Sequence, residues 1–468
     1  MSKKKPKIIL KHLTVESVAA EGRAIARYDN RVIFIPMVIP GDVVDIRIIR
    51  KRKSYWEGQV VQLIHPSPDR QKPVCAHFGV CGGCKWQMLP YGKQLQFKEQ
   101  QVTDQLSRIG KMELPGITPI IGAEQTEFYR NKLEFTFAHR RWFTAEELAD
   151  AGELQDEPAL GFHVRGRFDK VVDIAKCWLQ PDPSNAIRNE VKTYALSKGL
   201  TFFNLREQKG FLRNLIIRTT TTGEVMVVVI MAEESEPERE DLLEYIKSRF
   251  SDLTSLMWVI NPKANDTIFD LPVHLSYGRD HLIEKIENLS FKIGPKSFFQ
   301  AHTQQATRLY QVVREMADLS GEEVLYDLYT GTGTIALFLA SRVKKVVGID
   351  SVPEAVTDAR ENAELNHVVN ASFFSGDIKE VLDERFIQRE GVPDVVVLDP
   401  PRAGIHQHVV EVLRTVHPAR IIYVSCNPAT QARDLALMAD LYRIVAVQPV
   451  DMFPHTHHVE NIIRLDQY

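Results

Sequence analysis

Five cysteines stand in this chain, and one of them, Cys426, closes an apolar run and opens a turn in Ser425-Cys426-Asn427-Pro428. A thiol at a strand end, exposed by an Asn-Pro turn, is placed for nucleophilic attack, whereas a free cysteine without that context is ordinarily a small buried hydrophobe. A carboxylate that could work with it, Glu460, lies downstream in His455-Thr-His457-His458-Val-Glu460. This pair suits addition and elimination on an electron-poor ring. Sulfur added to carbon 6 of a uracil makes carbon 5 nucleophilic, and a base must then remove the carbon 5 proton before sulfur can leave. The three histidines beside Glu460 have no partnering cysteine and make a poor zinc site.

The other four cysteines are Cys75, Cys81 and Cys84, in Cys75-x5-Cys81-Gly-Gly-Cys84, and the distant Cys177. In a reducing cytoplasm they read as ligands rather than disulfides. Four thiolates close either a tetrahedral zinc site or an iron–sulfur cluster. The five-residue spacing is loose for zinc, and the glycines let the loop wrap a bulkier object.

A third constellation is Asp327-Leu-Tyr-Thr-Gly331-Thr-Gly333-Thr, which follows a strand-like run and opens a helical one, so that backbone can approach a ligand. Asp350 ends the next strand 17 residues after Gly333, where a carboxylate can accept both hydroxyls of a ribose. The missing third glycine favours S-adenosylmethionine over a dinucleotide, since no pyrophosphate needs cradling. Asp377 and Asp399, the latter in Asp399-Pro400-Pro401-Arg402, end two further strands on the same rim, although a lone strand-end Asp is more often a helix cap. Arg402 stands where an exocyclic-amine methyltransferase would carry an aromatic residue and where RNA cytosine enzymes carry a cysteine.

Several elements must position these groups. From about Lys292 the pattern is strand, glycine turn, helix, strand, with apolar runs at Val324 to Tyr329, Lys345 to Asp350, Ala371 to Gly376, Val395 to Asp399 and Ile421 to Ser425. Such alternation predicts an α/β fold with a doubly wound parallel sheet and ligands at the carboxyl ends of its strands. Before it, residues 75–290 mix strand runs (Leu133 to Phe137, Leu215 to Thr220, Val225 to Met231) with a helix near Glu238 to Phe250, which predicts an α+β central domain. Tyr91 to Ile109 has helical periodicity, and Glu146 to Glu157 is an acidic insertion predicted to be an exposed helix or loop. Residues 1–68 hold short β-branched runs between Gly22, Asp29-Asn30 and Pro40-Gly41, the spacing of a small β-barrel.

At 468 residues the chain has room for about three domains. Its net charge of −3 hides an asymmetry, for residues 1–72 carry 15 Lys and Arg against 7 Asp and Glu. That balance suits a polyanion such as RNA, and the run Arg50 to Lys53 before Tyr55 and Trp56 is the expected phosphate contact, beyond a solvated strand edge. No apolar stretch approaches a membrane span, so the expected location is the cytoplasm.

Together these motifs resemble the bacterial RNA uracil-5-methyltransferase family, in its iron–sulfur 23S rRNA branch, over nearly the whole chain. The resemblance is carried by a TRAM-like barrel, CGGCKWQ with Cys75 and Cys177, Tyr129-Arg130-Asn131-Lys132, Ser297-Phe-Phe-Gln300, DLYTGTGT, DPPRAG, SCNPAT and HTHHVE. It implies a methyltransferase domain at 291–468. It further implies a [4Fe-4S] cluster on Cys75, Cys81, Cys84 and Cys177, and S-adenosylmethionine held by Gln300, Tyr329, Thr334, Asp350, Asp377 and Asp399. Cys426 matches the nucleophile and Glu460 the base. The implied partner is structured RNA, first 23S rRNA and alternatively tRNA, with neither DNA nor membrane and with the chain a monomer; a non-catalytic RNA-binding assembly factor is the rival. The chain departs from many relatives in Tyr-Thr-Gly at the glycine turn, where they have Cys before Gly, and in Asp350, where Glu is frequent.

Overall fold

The computed structural model describes residues 8–110, 112–144, 147–148 and 157–468, so most of the acidic insertion lies outside the described residues. Five strands, β1 (Ile9–Val18), β2 (Ala24–Tyr28), β3 (Arg31–Ile35), β4 (Val43–Lys51) and β5 (Tyr55–His65), close a barrel in the order β1-β2-β3-β5-β4. Alternate residues fill it, among them Ala26, Ile33, Ile35, Val44 and Ile46, none more than 1% exposed. The end of β4 and the turn after it carry Arg50, Lys51, Arg52 and Lys53 into solvent. Trp56 is buried beneath it, with Lys51 Nζ 4.2 Å and the Arg31 guanidinium 5.0 Å from its ring centre.

The central sheet uses β6 (Lys132–Ala138), β7 (Ala159–His163), β8 (Val171–Asp173), β9 (Leu212–Thr219), β10 (Val225–Met231), β11 (Ser255–Ile260) and β12 (His274–Gly278), in the order β12-β11-β10-β9-β6-β7-β8. Only β10 and β11 among these pairs run parallel, joined by the helix Glu236–Arg249. That helix and Ser184–Ser197 bury Leu242, Leu243, Ile246, Ile187 and Val191 against one face, an α+β layer as the mixed pattern predicts.

A hairpin, β13 (Leu282–Ile286) and β14 (Leu289–Ile293), follows, and its Ile286, Phe291 and Ile293 pack into the carboxy-terminal core. The helix Tyr91–Gln105 does likewise, through Val102, and Ile121 bridges to Val450. The carboxy-terminal unit therefore draws in segments from within 75–290, through contacts distant in sequence.

That unit is built on β15 (Val324–Leu328), β16 (Lys345–Asp350), β17 (Ala371–Ser375), β18 (Val395–Leu398), β19 (Arg420–Ser425), β20 (Tyr442–Val450) and β21 (Glu460–Gln467), ordered β17-β16-β15-β18-β19-β21-β20. Strands β15 to β19 are parallel. Strand order reverses between β15 and β18, which marks the carboxyl rim beside them as the ligand crevice. Strand β21 enters antiparallel between β19 and β20. Its first residue, Glu460, therefore arrives at the same rim where β19 ends, and the register pairs Ser425 with Asn461. Among the described residues no helix is long and apolar enough to cross a membrane.

Candidate active site

The glycine turn leaves β15 through Tyr329, held in the left-handed region at φ 68°, while the amides of Tyr329 and Thr330 donate to Ile349 O at 3.0 and 3.1 Å. Gly331 follows at φ 55°, and a Cβ there would meet nothing within 4 Å, so the turn offers bare backbone to open space. Its N–H donates to Asp350 Oδ2 at 2.9 Å, and Val352 N–H donates to Oδ1 at 2.9 Å. Two backbone donors thus fix the Asp350 carboxylate at the rim with lone pairs left for a hydroxylated ligand.

Thr334 opens the helix Thr334–Ala340, and its hydroxyl accepts from Tyr310 Oη at 3.2 Å. Gln300 precedes the helix Thr303–Ala317, its carbonyl fixed by Asn131 Nδ2 at 2.8 Å. Asp377 stands at the β17 end but is exposed, and its carboxylate caps its own helix by accepting from Lys379 N at 3.2 Å. Lys379 Nζ, 3.1 Å away, holds that carboxyl below its usual range. Its geometry is that of a cap.

Beyond Asp350 the rim is crowded with acids. Asp327, 1% exposed, accepts from Thr330 Oγ1 at 2.8 Å and Ala336 N at 3.0 Å through Oδ2, while Oδ1 has no partner among the described residues. Burial pushes it up to about 7, and the charges of Asp399 and Asp350 act in the same direction. Burial likewise pushes Asp399 to about 7. Glu460, 5% exposed, is driven well above the carboxylate range by burial and then by Asp399, with Arg402 opposing.

Cys426 is partly exposed, neither sealed in the core nor free in solvent. Burial pushes its thiol to about 11, the charges of Glu460 and Asp399 add to that, and Arg402 lowers it. The thiol, two carboxyls and one guanidinium are thus close enough for their charges to act on one another. Asn427 caps the helix Pro428–Ala436 while its Nδ2 donates to Arg402 O at 3.1 Å, stitching the cysteine turn to the Asp399-Pro400-Pro401-Arg402 loop. Acidic groups outnumber the one nearby guanidinium and are pushed toward their neutral forms, so a positively charged ligand bound there would favour their ionised forms. The sequence reading missed Asp327, which it took only as the start of the glycine turn, and Arg402, which it used only to exclude other enzymes. The paired-proline motif was the signal available for Arg402.

The four remaining cysteines line one cavity of about 170 Å³, with Phe78, Arg130 and Thr456 among its other walls. Cys81 N–H donates to His77 O at 3.0 Å, and Gly82 N–H to His163 O at 2.9 Å. A Cβ on Gly82 would lie 2.7 Å from that same carbonyl, so only glycine fits the close approach of loop and strand. Cys177 comes in from the other side, its amide donating to Asn185 Oδ1 at 2.8 Å. Burial raises all four thiols, Cys81 to about 11 and Cys84 to about 12, and for Cys81, Cys84 and Cys177 the neighbouring sulfurs add to the effect. Among the described residues, no three His, Cys, Asp or Glu converge tightly enough to hold a single metal ion. A second cavity, of about 640 Å³, opens between the barrel (Arg23, Phe34), the cysteine loop (Gly83, Lys85) and the β7 end (Phe162, Arg165), and its lining mixes these basic and aromatic groups with Glu21 and Glu57.

Residues 217–468 match the family described as tRNA (Uracil-5-)-methyltransferase, and residues 11–61 match the TRAM domain. An uncharacterised RNA methyltransferase of Bacteroides thetaiotaomicron is 55% identical over 96% of this chain and its own full length. One of Porphyromonas gingivalis, also uncharacterised, is 51% identical over 97% of this chain and 99% of its own. Among solved structures, the Pyrococcus abyssi tRNA (uracil-54, C5)-methyltransferase, in complex with S-adenosyl-L-homocysteine, superposes with a TM-score of 0.75 at 28% identity, over 97% of this chain and 100% of that one.

Proposed function

The chain belongs to the RNA uracil-5-methyltransferase family, with an amino-terminal TRAM domain, and from that membership we propose that Cys426 is its covalent nucleophile and Glu460 its proton-abstracting base. The methyl donor is S-adenosylmethionine, which supplies an electrophilic methyl group on a positively charged sulfur. Its sugar and amino-acid ends are assigned to the rim of Gln300, Tyr329, Thr334, Asp350 and Asp399. Asp377 is assigned at most an outer contact, because its carboxylate already caps a helix.

Cys426 Sγ, as the thiolate, adds to carbon 6 of the target uracil, which raises electron density at carbon 5; carbon 5 then takes the methyl group as the sulfonium–methyl bond of the donor breaks and the neutral thioether, S-adenosylhomocysteine, leaves. Glu460 then removes the carbon 5 proton; the electron pair of that C–H bond restores the ring double bond, and the sulfur–carbon bond breaks. Arg402 is the group that lowers the thiol in this scheme. The observation that carries the reading is the register of β19 against β21, which pairs Ser425 with Asn461 and so brings Glu460 beside the cysteine turn. The expected test is a pair of variants. Cys426→Ala should bind RNA and turn over no substrate, whereas Glu460→Gln should trap a covalent RNA–protein adduct, visible as a slow band on a denaturing gel. Full activity of Cys426→Ala would remove the covalent scheme.

The four-thiol cavity supports assignment of a [4Fe-4S] cluster to Cys75, Cys81, Cys84 and Cys177. Bound there, a cluster would tie the Cys75–Cys84 loop to the Cys177 loop by iron–sulfur bonds. The same thiols make 23S rRNA the first substrate to test. Transfer RNA is the second, favoured by the likeness to the archaeal tRNA enzyme. Mapping 5-methyluridine in both RNAs from a deletion strain separates them.

A further inference from the structure

Glu460 enters the rim at the end of a nine-residue strap, Asp451 to Val459, that links β20 to β21. Most of it is buried, yet its own turn is irregular, with His455 at φ 64°. Its root is held by the helix Tyr91–Gln105, where Lys98 Nζ donates to Asp451 Oδ1 at 2.6 Å and to Phe453 O at 3.1 Å and Gln94 Oε1 accepts His455 N–H at 2.8 Å. Further contacts come from the two cysteine loops. The residues straight after Cys84, Lys85 and Trp86, both donate their amides to His455 O, at 2.8 and 3.0 Å. Lys85 Nζ also lies 3.2 Å from His457 Nδ1. The residues straight after Cys177, Trp178 and Leu179, accept the amides of Phe128 and Arg130, each at 2.7 Å. Between these two, Tyr129 donates its hydroxyl to Pro454 O at 3.1 Å, and Arg130 lies 5.4 Å over the Phe453 ring.

Thr456 joins the systems directly. It lines the four-cysteine cavity and is 6% exposed. Its hydroxyl donates to Phe453 O at 2.8 Å and accepts from His458 N at 3.2 Å, bracing the turn two residues before Glu460. We infer that the four-cysteine pocket is the anchor of the strap that aims Glu460, with Thr456 as the positioning residue between them. This rests on the reading of Glu460 as the base. A group bonded to all four sulfurs would lock both loops, and hence both sets of strap contacts, at once. Without it the strap keeps its hydrogen bonds but loses the common fixed point.

The consequence is specific to one step. A misaimed Glu460 leaves addition of Cys426 and methyl transfer possible but slows removal of the carbon 5 proton, so the sulfur–carbon adduct should outlive its normal span. The test uses the full chain, with unmodified transcripts of 23S rRNA and of tRNA as probes, and compares Thr456→Val, Thr456→Ser and Cys84→Ser. Thr456→Val should lower kcat roughly 10- to 100-fold, the effect of a misplacement of about an ångström, with the KM for S-adenosylmethionine unchanged and the covalent band accumulating. Thr456→Ser, which keeps the hydroxyl, should restore turnover. In Cys84→Ser, amide hydrogen exchange across residues 453–459 should quicken and the same band should appear. Unchanged exchange in Cys84→Ser, or an unchanged adduct lifetime in Thr456→Val, overturns the anchor. If Glu460→Gln itself traps no adduct, the base assignment is what fails; if it does and Thr456→Val does not, the anchor alone is wrong.

Discussion

A site with several buried acids and one guanidinium should tell a sulfonium from a thioether, and pH should control how sharply. The perturbation is the charge of Asp399, whose carboxyl burial places at about 7. Around neutrality it is therefore part-protonated in the empty site, and a bound cation favours its ionised form. If S-adenosylmethionine returns it to an ordinary value of about 4, linkage makes affinity rise about tenfold per pH unit between those values and level off above. From pH 5 to pH 8 the gain is on the order of 80-fold, an upper bound set by full recovery of the ordinary pKa. S-adenosylhomocysteine has the same amino-acid and sugar ends with a neutral sulfur, so its affinity should stay nearly flat over that range. Calorimetry with both ligands across pH 5 to 8, repeated in buffers of different ionisation enthalpy, reads the affinity ratio and the proton released. Asp399→Asn should flatten most of the slope for S-adenosylmethionine. A ratio that does not change with pH, or a thioether that follows the same curve, refutes the idea that the acid cluster serves a cation.

Two other outcomes follow from buried charge and from the thiols. Lys98 and Asp451, both with fully buried side chains, pair at 2.6 Å at the root of the strap; Lys98→Met leaves Asp451 without its cation and should lower stability by about 3–5 kcal/mol, read as an earlier urea midpoint at constant m-value. Adding Asp451→Asn to that variant should recover part of the loss, because no unpaired charge then remains. Protein purified without oxygen should carry iron and acid-labile sulfide in equal amounts, and Cys75→Ser, Cys81→Ser or Cys177→Ser should each lose both; zinc in place of iron would overturn the cluster assignment.

The parts of this molecule that could be read directly are those whose residues carry their own reason. Lys345 to Asp350 and Val225 to Met231 were readable end to end, because strands buried on both faces are continuous apolar runs. Strand β2, Ala24 to Tyr28, was not, since its Ala-Ile-Ala-Arg-Tyr is weak in β-branched residues and takes its shape from the barrel around it. The domain limits blurred for the same reason: the periodicity of Tyr91 to Ile109 announces a helix, which runs as α-helix to Gln105 and ends in a wider π turn, but not the distant core that receives Val102 and Leu106.

The site divides along the same line. Cys426 and the strand-end acids were visible because a parallel sheet delivers every carboxyl end to one rim, so position in the chain already implies position in space. Glu460 follows a different rule. It sits at the amino end of its strand, and only the antiparallel insertion of β21 beside β19 brings it to the rim at all. A pattern of residues cannot announce that insertion, since it depends on pairing between β19, β20 and β21 and on the strap before Glu460 being held down by loops from residues 84–86 and 128–130. Cys426 and Glu460, the proposed nucleophile and base, are thus positioned by different means, the one by local strand geometry and the other by long-range contacts that include the cysteine loops. Damage to those loops should therefore reach the second half of the reaction before the first.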